Sequence, residues 1–404
     1  MLYKKQNIIF TNFEWMLVGL LIYSIGVILP KFGRPTCYLG LIIILYNFIF
    51  QRGSHEKPFT GFIQGIFVFY LIWTVYVFIR PLFSGEFLAN NDDPLDRYLW
   101  LSYLTPLIVF SGMKNLSLKS VFNFCYIYGI LGIVLLILNY QSIFAVQQVF
   151  NSDEYQDYIR IAGIPTDFIY ATSFLVLCYS FIKVKYRALA FFAMVIGMTT
   201  VAFTARRTGI FMYILIFVFF LYLYLFSSEK GHKKRKLIFV ILILFIGIVI
   251  FSVYENSTFS LLLSRLEEDS RSGVEQYFFS SFNGNISDWM FGRGINGTYY
   301  YPFYDTNNRN IIETGYLYII LKGGIIHLAL FVYFLLSSTF LGLFRTNNML
   351  TKAMAFYLFA HVLFLYPFGL PAFTLEYVIV WICVIYCQSK TWRMKTNEEI
   401  FKCL

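Results

Sequence analysis

The chain of 404 residues is 58% hydrophobic and 21% aromatic, and only 13% of it is charged, whereas a soluble protein carries about a quarter charged residues. Its polar groups cannot cover its apolar ones, so lipid is the expected solvent and a soluble globular domain is excluded. The formal charge of +10 is dispersed over short loops between apolar runs, which argues against a nucleic-acid-binding face, and six cysteines without a CxxC pair offer neither a disulfide framework nor a zinc site.

Apolar runs long enough for a bilayer recur at 14–30, 37–51, 61–80, 97–113, 121–139, 166–183, 186–203, 208–226, 237–254, 314–340, 353–369 and 373–389. They are continuous, not alternating, which points to helices and away from a transmembrane β-barrel. The expectation is an all-α polytopic integral membrane protein of about twelve transmembrane helices. It forms a single transmembrane domain over 1–404, with a large loop, 254–313, inserted before the tenth helix. The first run follows Lys4 and Lys5 without a small-residue cleavage site and reads as a retained helix.

Orientation follows from lysine and arginine. The densest basic cluster, Lys230 to Lys236, lies between the eighth and ninth runs. Placing it in the cytoplasm puts about 20 of the 32 basic residues, but only about 5 of the 22 acidic ones, on that side. Both termini are then cytoplasmic. Three long loops face outward, at Arg80–Asp96, Tyr140–Pro165 and Tyr254–Glu313. Loops of this length usually bind or catalyse, so the working face is expected outside.

The cytoplasmic side shows no Walker-type glycine loop and no dinucleotide fingerprint. On the outer side, Thr204-Ala205-Arg206-Arg207-Thr208-Gly209 is a tight turn between two apolar runs. Its guanidiniums either snorkel to lipid phosphates or clamp an anionic ligand bidentately. Arg160 and Arg265 lie near run ends in the outer loops, where a lone arginine is commonly just solvated. The large loop reads as an amphipathic helix from Thr258 to about Phe282, with Glu267, Glu268 and Asp269 on its solvated face. A compact turn, Trp289 to Gly297, follows. Tyr299, Tyr300, Tyr301 and Tyr304 come next, as an aromatic belt or a stacking surface for sugars. Glu313 opens the next run, as a cap for free N–H groups or as a catalytic carboxylate. Lys322 and His327 inside that run are costly in lipid and suggest function. Asn90-Asn91-Asp92-Asp93-Pro94, with Asp96, reads as turn chemistry ahead of a metal site.

In this order the residues from Asp153 to Pro367 resemble the superfamily of O-antigen polymerases and O-antigen ligases. Arg160-Ile-Ala-Gly163 resembles its Arg-x-x-Gly segment, and Ala205-Arg206-Arg207-Thr208-Gly209 resembles its Ser-Arg-Thr/Ser-Gly turn. The long loop carries Arg265 and Phe291-Gly292-Arg293-Gly294, similar to a Phe-Gly-x-Gly. Glu313 with Gly324 keeps the spacing of a ligase His and Gly, with Glu in place of His, which favours a polymerase.

The resemblance implies a membrane-embedded glycosyltransferase of polysaccharide or lipopolysaccharide biosynthesis in a bacterial inner membrane, its active face periplasmic. It would join repeat units by transfer from undecaprenyl pyrophosphate, with inversion and without metal or other cofactor. Arg160, Arg206, Arg207 and Arg265 would hold the pyrophosphate. Arg293, Tyr299, Tyr300 and Tyr304 would meet the sugars, and Glu313 would be the base. The partners implied are a lipid-linked oligosaccharide, membrane lipid and a chain-length regulator, without nucleic acid. A ligase acting on lipid A–core, or a lipid-linked oligosaccharide flippase, is the competing expectation.

Overall fold

The structure is a computed structural model describing residues 11–29, 32–49, 59, 61–84, 95–112, 116–148, 155–226, 272–303 and 307–404. Within these the chain is helical almost throughout. The first five helices are α1 (Asn12–Ile28), α2 (Gly33–Ile49), α3 (Phe62–Ser84), α4 (Trp100–Gly112) and α5 (Leu118–Leu138). Next come α6 (Tyr140–Gln148), α7 (Tyr155–Tyr170), α8 (Thr172–Leu177), α9 (Val184–Phe203) and α10 (Arg207–Phe226). Two short helices, α11 (Ser272–Phe282) and α12 (Ile286–Phe291), precede an antiparallel hairpin of β1 (Tyr299–Tyr300) and β2 (Asn308–Arg309). The chain closes with α13 (Gly315–Phe344), α14 (Met349–Phe364), α15 (Leu375–Gln388), α16 (Lys390–Met394) and α17 (Asn397–Cys403).

Among the described residues, five stretches are long and apolar enough to cross a bilayer, namely Phe62–Leu82, Leu118–Leu138, Val184–Phe203, Arg207–Leu225 and Gly315–Phe344. Their outward faces are as apolar as their packed ones. Ile72, Ile137, Val195, Val218 and Phe340 are all exposed large hydrophobics, and a surface of that kind is stable against lipid, not water. Five shorter apolar helices accompany them, Asn12–Ile28, Gly33–Ile49, Ile161–Leu177, Met349–Phe364 and Leu375–Gln388. The fold is therefore an all-α membrane-embedded bundle. The expected run 237–254 and the upstream part of the expected amphipathic helix, with Glu267, Glu268 and Asp269, lie outside the described residues.

One boundary differs in kind from the sequence expectation. Residues 155–165 were expected in a loop ending at Pro165, yet α7 runs through that proline. Gln156, Asp157 and Arg160 lower the hydropathy of this stretch without breaking its helical phase, so a hydropathy run starts too late. Pro165 cannot donate an N–H, which leaves the carbonyl four residues earlier without its helical partner; next to it, the Thr166 hydroxyl donates to the Gly163 carbonyl at 2.6 Å.

The fold is pinned by a break in α13. Gly324 adopts φ 74°, ψ 179° in mid-helix, which frees the carbonyls of the preceding turn. An unpaired carbonyl inside an apolar bundle is costly, and each of these is met from outside the helix. Arg293 N donates to Leu321 O at 2.8 Å, Gly294 N to Lys322 O at 2.9 Å, and Trp73 Nε1 to Gly323 O at 2.7 Å. The outer loop thus inserts its backbone into the broken helix. Gly292, with φ 70°, makes the approach possible, because a Cβ there would stand 2.6 Å from the nitrogens of Gly323 and Gly324. Lys322, fully buried, donates to Gly297 O at 2.9 Å and closes the same junction.

Adding a methyl group at Gly324 combines a left-handed backbone, costing about 1–2 kcal/mol, with overpacking against the Met290 carbonyl, costing about 1–3 kcal/mol. Gly324→Ala is expected to lower the thermal midpoint of the detergent-solubilised protein, and to make the outer loop protease-sensitive. Gly273→Ala, where a Cβ meets open space, should do neither.

Candidate functional site

A cavity of about 1780 Å³ opens among α1, α2, α5, α7, α10, α13, α14 and α15, the segment before α4 and residues Tyr301 and Arg309 at the β hairpin. It is larger than the roughly 300–1,000 Å³ of a pocket for a drug-sized ligand. Five arginines (Arg34, Arg97, Arg206, Arg207, Arg309) and five carboxylates (Asp96, Asp167, Glu275, Glu313, Glu376) line it, among tyrosine and phenylalanine rings.

The Arg206–Arg207 wall is built by a helix terminator. At the end of α9, Ala205 N bonds to Ala202 O at 3.1 Å and Arg206 N to Val201 O at 2.9 Å, the paired closure of a Schellman motif. Its left-handed position, usually glycine, is held here by Ala205 with φ 51°. The strain of that residue turns the chain sharply, so α10 starts at once with Arg207. The Arg206 side chain then lies against Gly163 of α7, so closely that a Cβ there would overlap the guanidinium. The two sequence segments Arg160-x-x-Gly163 and Ala205-Arg206 are therefore two halves of one contact. Both Arg206 and Arg207 are half-buried.

Another part of the lining carries Glu313. Helix α13 begins one residue after Thr314, whose hydroxyl donates to the Glu275 carboxylate. The Glu313 carboxylate faces Arg309 Nη2 at 3.8 Å, with its side chain 55% exposed. That arrangement fits a carboxylate presented to the cavity better than one used to cap the helix. The hairpin register, Tyr299 opposite Arg309, brings the Arg309 guanidinium over the Tyr301 ring at 5.5 Å.

Two further charge pairs in the lining escaped the sequence reading. Arg97 Nη1 donates to Asp167 Oδ2 at 2.7 Å, and its Nη2 to the Tyr98 hydroxyl at 2.9 Å. His361 of α14 meets Glu376 of α15 at 3.0 Å. Neither pair is local in sequence. The only hint is that all four are ionisable residues within apolar runs, Arg97, Asp167 and Glu376 near run ends and His361 inside one, where such a side chain is unexpected.

The remaining candidates fall elsewhere. Arg293 is spent on the loop itself: Nε donates to Asp288 at 2.8 Å, Nη1 to the Ser281 hydroxyl and Thr298 O, Nη2 to Ser281 O, and the guanidinium covers the Phe282 ring. Tyr299 is buried against Phe278, 1% exposed. Neither lines the cavity; both are held inside the folded loop. Tyr300 is exposed on the outer side of the hairpin, also apart from the cavity lining. Tyr304, Arg265, Asp92 and Asp93 lie outside the described residues, as does the side chain of Arg160. Asp96 accepts from Tyr98 N at 2.7 Å, in keeping with turn chemistry. Lys322 and His327 lie in the interior away from the cavity, Lys322 at the α13 break and His327 between the Tyr70 and Tyr103 rings.

Chemically, the arrangement presents arginines to an anion on one wall and a carboxylate to a hydroxyl on another. Gly163→Ala is expected to displace Arg206 and weaken binding of inorganic pyrophosphate about tenfold, the scale of a lost charge-assisted hydrogen bond. Ala205→Gly should relieve the left-handed strain, raising stability by about 1 kcal/mol, with binding unchanged. Titration calorimetry and thermal melting on the same preparations check both.

Comparison of the chain with protein-family models, with curated proteins and with solved structures finds no match.

Proposed function

We propose that this protein is a membrane-embedded glycosyltransferase that polymerises repeat units carried on undecaprenyl pyrophosphate. The observation that carries the reading is that Arg206, Arg207 and Glu313, drawn from segments far apart in sequence, line one large cavity. In this reading the bundle follows the twelve-span path with cytoplasmic termini, and the cavity opens to the outer leaflet of a bacterial inner membrane, where a lipid-linked glycan is presented.

The mechanism follows from the two walls. Arg206 and Arg207 neutralise the pyrophosphate and stabilise the charge that grows on it as the glycosidic bond breaks. Glu313 accepts the proton of the attacking sugar hydroxyl. That hydroxyl oxygen attacks the anomeric carbon from the face opposite the leaving group, so the configuration inverts. Aromatic side chains such as Tyr98, Tyr170 and Tyr301 in the lining offer stacking surfaces for sugar rings. Transfer to lipid A–core in place of a second lipid-linked unit would use the same two walls, so the reading as a ligase differs only in the acceptor.

The broken helix α13, with buried Lys322 beside the break, favours a second reading, because transporters build their sites at interrupted helices. The two differ in where substrate accumulates. A polymerase lacking activity leaves single lipid-linked units on the outer leaflet; a flippase strands them inside.

In cells that depend on this protein for a glycan ladder, Arg206→Ala and Glu313→Gln are each expected to reduce polymer to single units. The loss from Glu313→Gln should be about 10²-fold or more, as for removal of a general base. An unchanged ladder in Glu313→Gln sinks the assignment of the base, and stranded units on the cytoplasmic leaflet overturn the polymerase reading in favour of transport.

A further inference from the structure

The cavity wall holds a group that this mechanism leaves unused. His361 is 8% exposed and sits on the last turn of α14; Glu376 sits on the first turn of α15. His361 Nδ1 lies 2.9 Å from the Tyr357 carbonyl oxygen. A carbonyl only accepts, so Nδ1 carries a hydrogen and donates it. The other ring nitrogen, Nε2, lies 3.0 Å from Glu376 Oε1. An imidazole lone pair and a carboxylate lone pair do not meet at that distance without a proton between them. One proton is therefore held by the pair, either on the ring as imidazolium or on the carboxyl. The Glu376 side chain is 23% exposed, and both residues line the cavity.

We propose that the His361–Glu376 pair is the proton donor of the cavity, delivering its shared proton to the pyrophosphate of a lipid-linked substrate. The proposal rests on the reading of the substrate as a lipid pyrophosphate. Division of labour then follows from environment. Glu313, exposed and ion-paired with Arg309, takes a proton. The His361–Glu376 pair, half-enclosed and already protonated, gives one.

The balance closes. The acceptor hydroxyl oxygen forms its bond to the anomeric carbon and its proton passes to Glu313. The electron pair of the broken carbon–oxygen bond goes to the pyrophosphate, which receives the proton held between His361 and Glu376. Water returns the proton from Glu313 to the pair, and both are restored.

The pair is set among other charged and phenolic groups of the cavity wall. Asp167 on α7 is held in its ion pair with Arg97. Around His361 and Glu376 stand Tyr170 of α7, which stacks on Tyr213 of α10, Tyr357 of α14, its ring 4.5 Å from the His361 ring, and Arg206. Tyr103 on α4 and Tyr318 on α13 act on the adjoining Tyr377. Phenols, with an ordinary pKa of about 10, are far weaker acids than an imidazolium.

The sign of the pH dependence is fixed. Below its titration the pair is neutral overall and offers a proton to the anion. Above it, the pair carries a negative charge and repels the anion. Binding of undecaprenyl pyrophosphate to the full-length protein in lipid nanodiscs, measured between about pH 6 and pH 8, reads this directly. Wild type is expected to lose about tenfold more affinity over that range than Glu376→Gln, the equivalent of one pKa unit. The ligand's own titration contributes equally to both. His361→Gln, which removes the shared proton but keeps Glu376, should bind weakly at both ends of the range. Parallel pH curves for wild type and Glu376→Gln, in variants that elute and melt like wild type, overturn the proton-donor role alone. Absence of binding by wild type at any pH removes the lipid-pyrophosphate reading, and this proposal with it.

Discussion

An apolar bundle tolerates no unpaired backbone group, and that constraint organises this molecule from the break in α13 outward. A helix that stays regular from Gly315 to Phe344 would present a smooth apolar surface with nothing for an outer loop to grip. Because Gly324 interrupts it, three consecutive carbonyls must be satisfied by other parts of the chain, and the backbone at Arg293 and Gly294, with the Trp73 indole, does so. The remaining fastenings follow. Arg80 donates to Gly292 O at 2.7 Å, Ile295 N to Val77 O at 3.0 Å, and Asp288 bridges Arg80 and Arg293. The hairpin that carries Arg309 over the cavity stands on this foundation.

The cavity is charged on both signs, and its charges are largely mutual. Arg97 faces Asp167, Arg309 faces Glu313, and His361 faces Glu376. Burying such groups singly would cost several kcal/mol each, whereas pairs can remain at a membrane boundary. A paired lining is also a responsive one. An entering anion competes with a carboxylate for its arginine, and a hydroxyl-bearing ligand competes with an arginine for its carboxylate. A ligand bound at such a lining exchanges partners with it more than it fills an empty charged socket.

The fold was legible in the sequence where hydropathy alone decides. α3, α5, α9, α10 and the long α13 follow their apolar runs to within a few residues. The amphipathic start of α7 was not legible, because Gln156, Asp157 and Arg160 obscure a helix that its phase still supports. Of the candidate site, Arg206, Arg207 and Glu313 could be found from charge in an unfavourable place, and the structure brings them into one lining. Arg97 with Asp167 and His361 with Glu376 could not, since nothing in linear spacing says that the ends of α4 and α7, or of α14 and α15, meet. Arg293 misled for the opposite reason. An arginine between glycines in an outer loop looks available, yet its donors are consumed by Asp288, Ser281 and Thr298.

Gly163 contributes no charge, no hydrogen-bonding side chain and no ring, and still it shapes the wall that carries Arg206. Its missing methyl group is the space that the Arg206 guanidinium occupies. Arg206 is thereby given a floor as well as a position. One flank of its planar group rests on the α7 backbone, and the directions left for a ligand are correspondingly few. The specificity of such a wall resides partly in an atom that is absent, and a survey of polar side chains alone would pass over it.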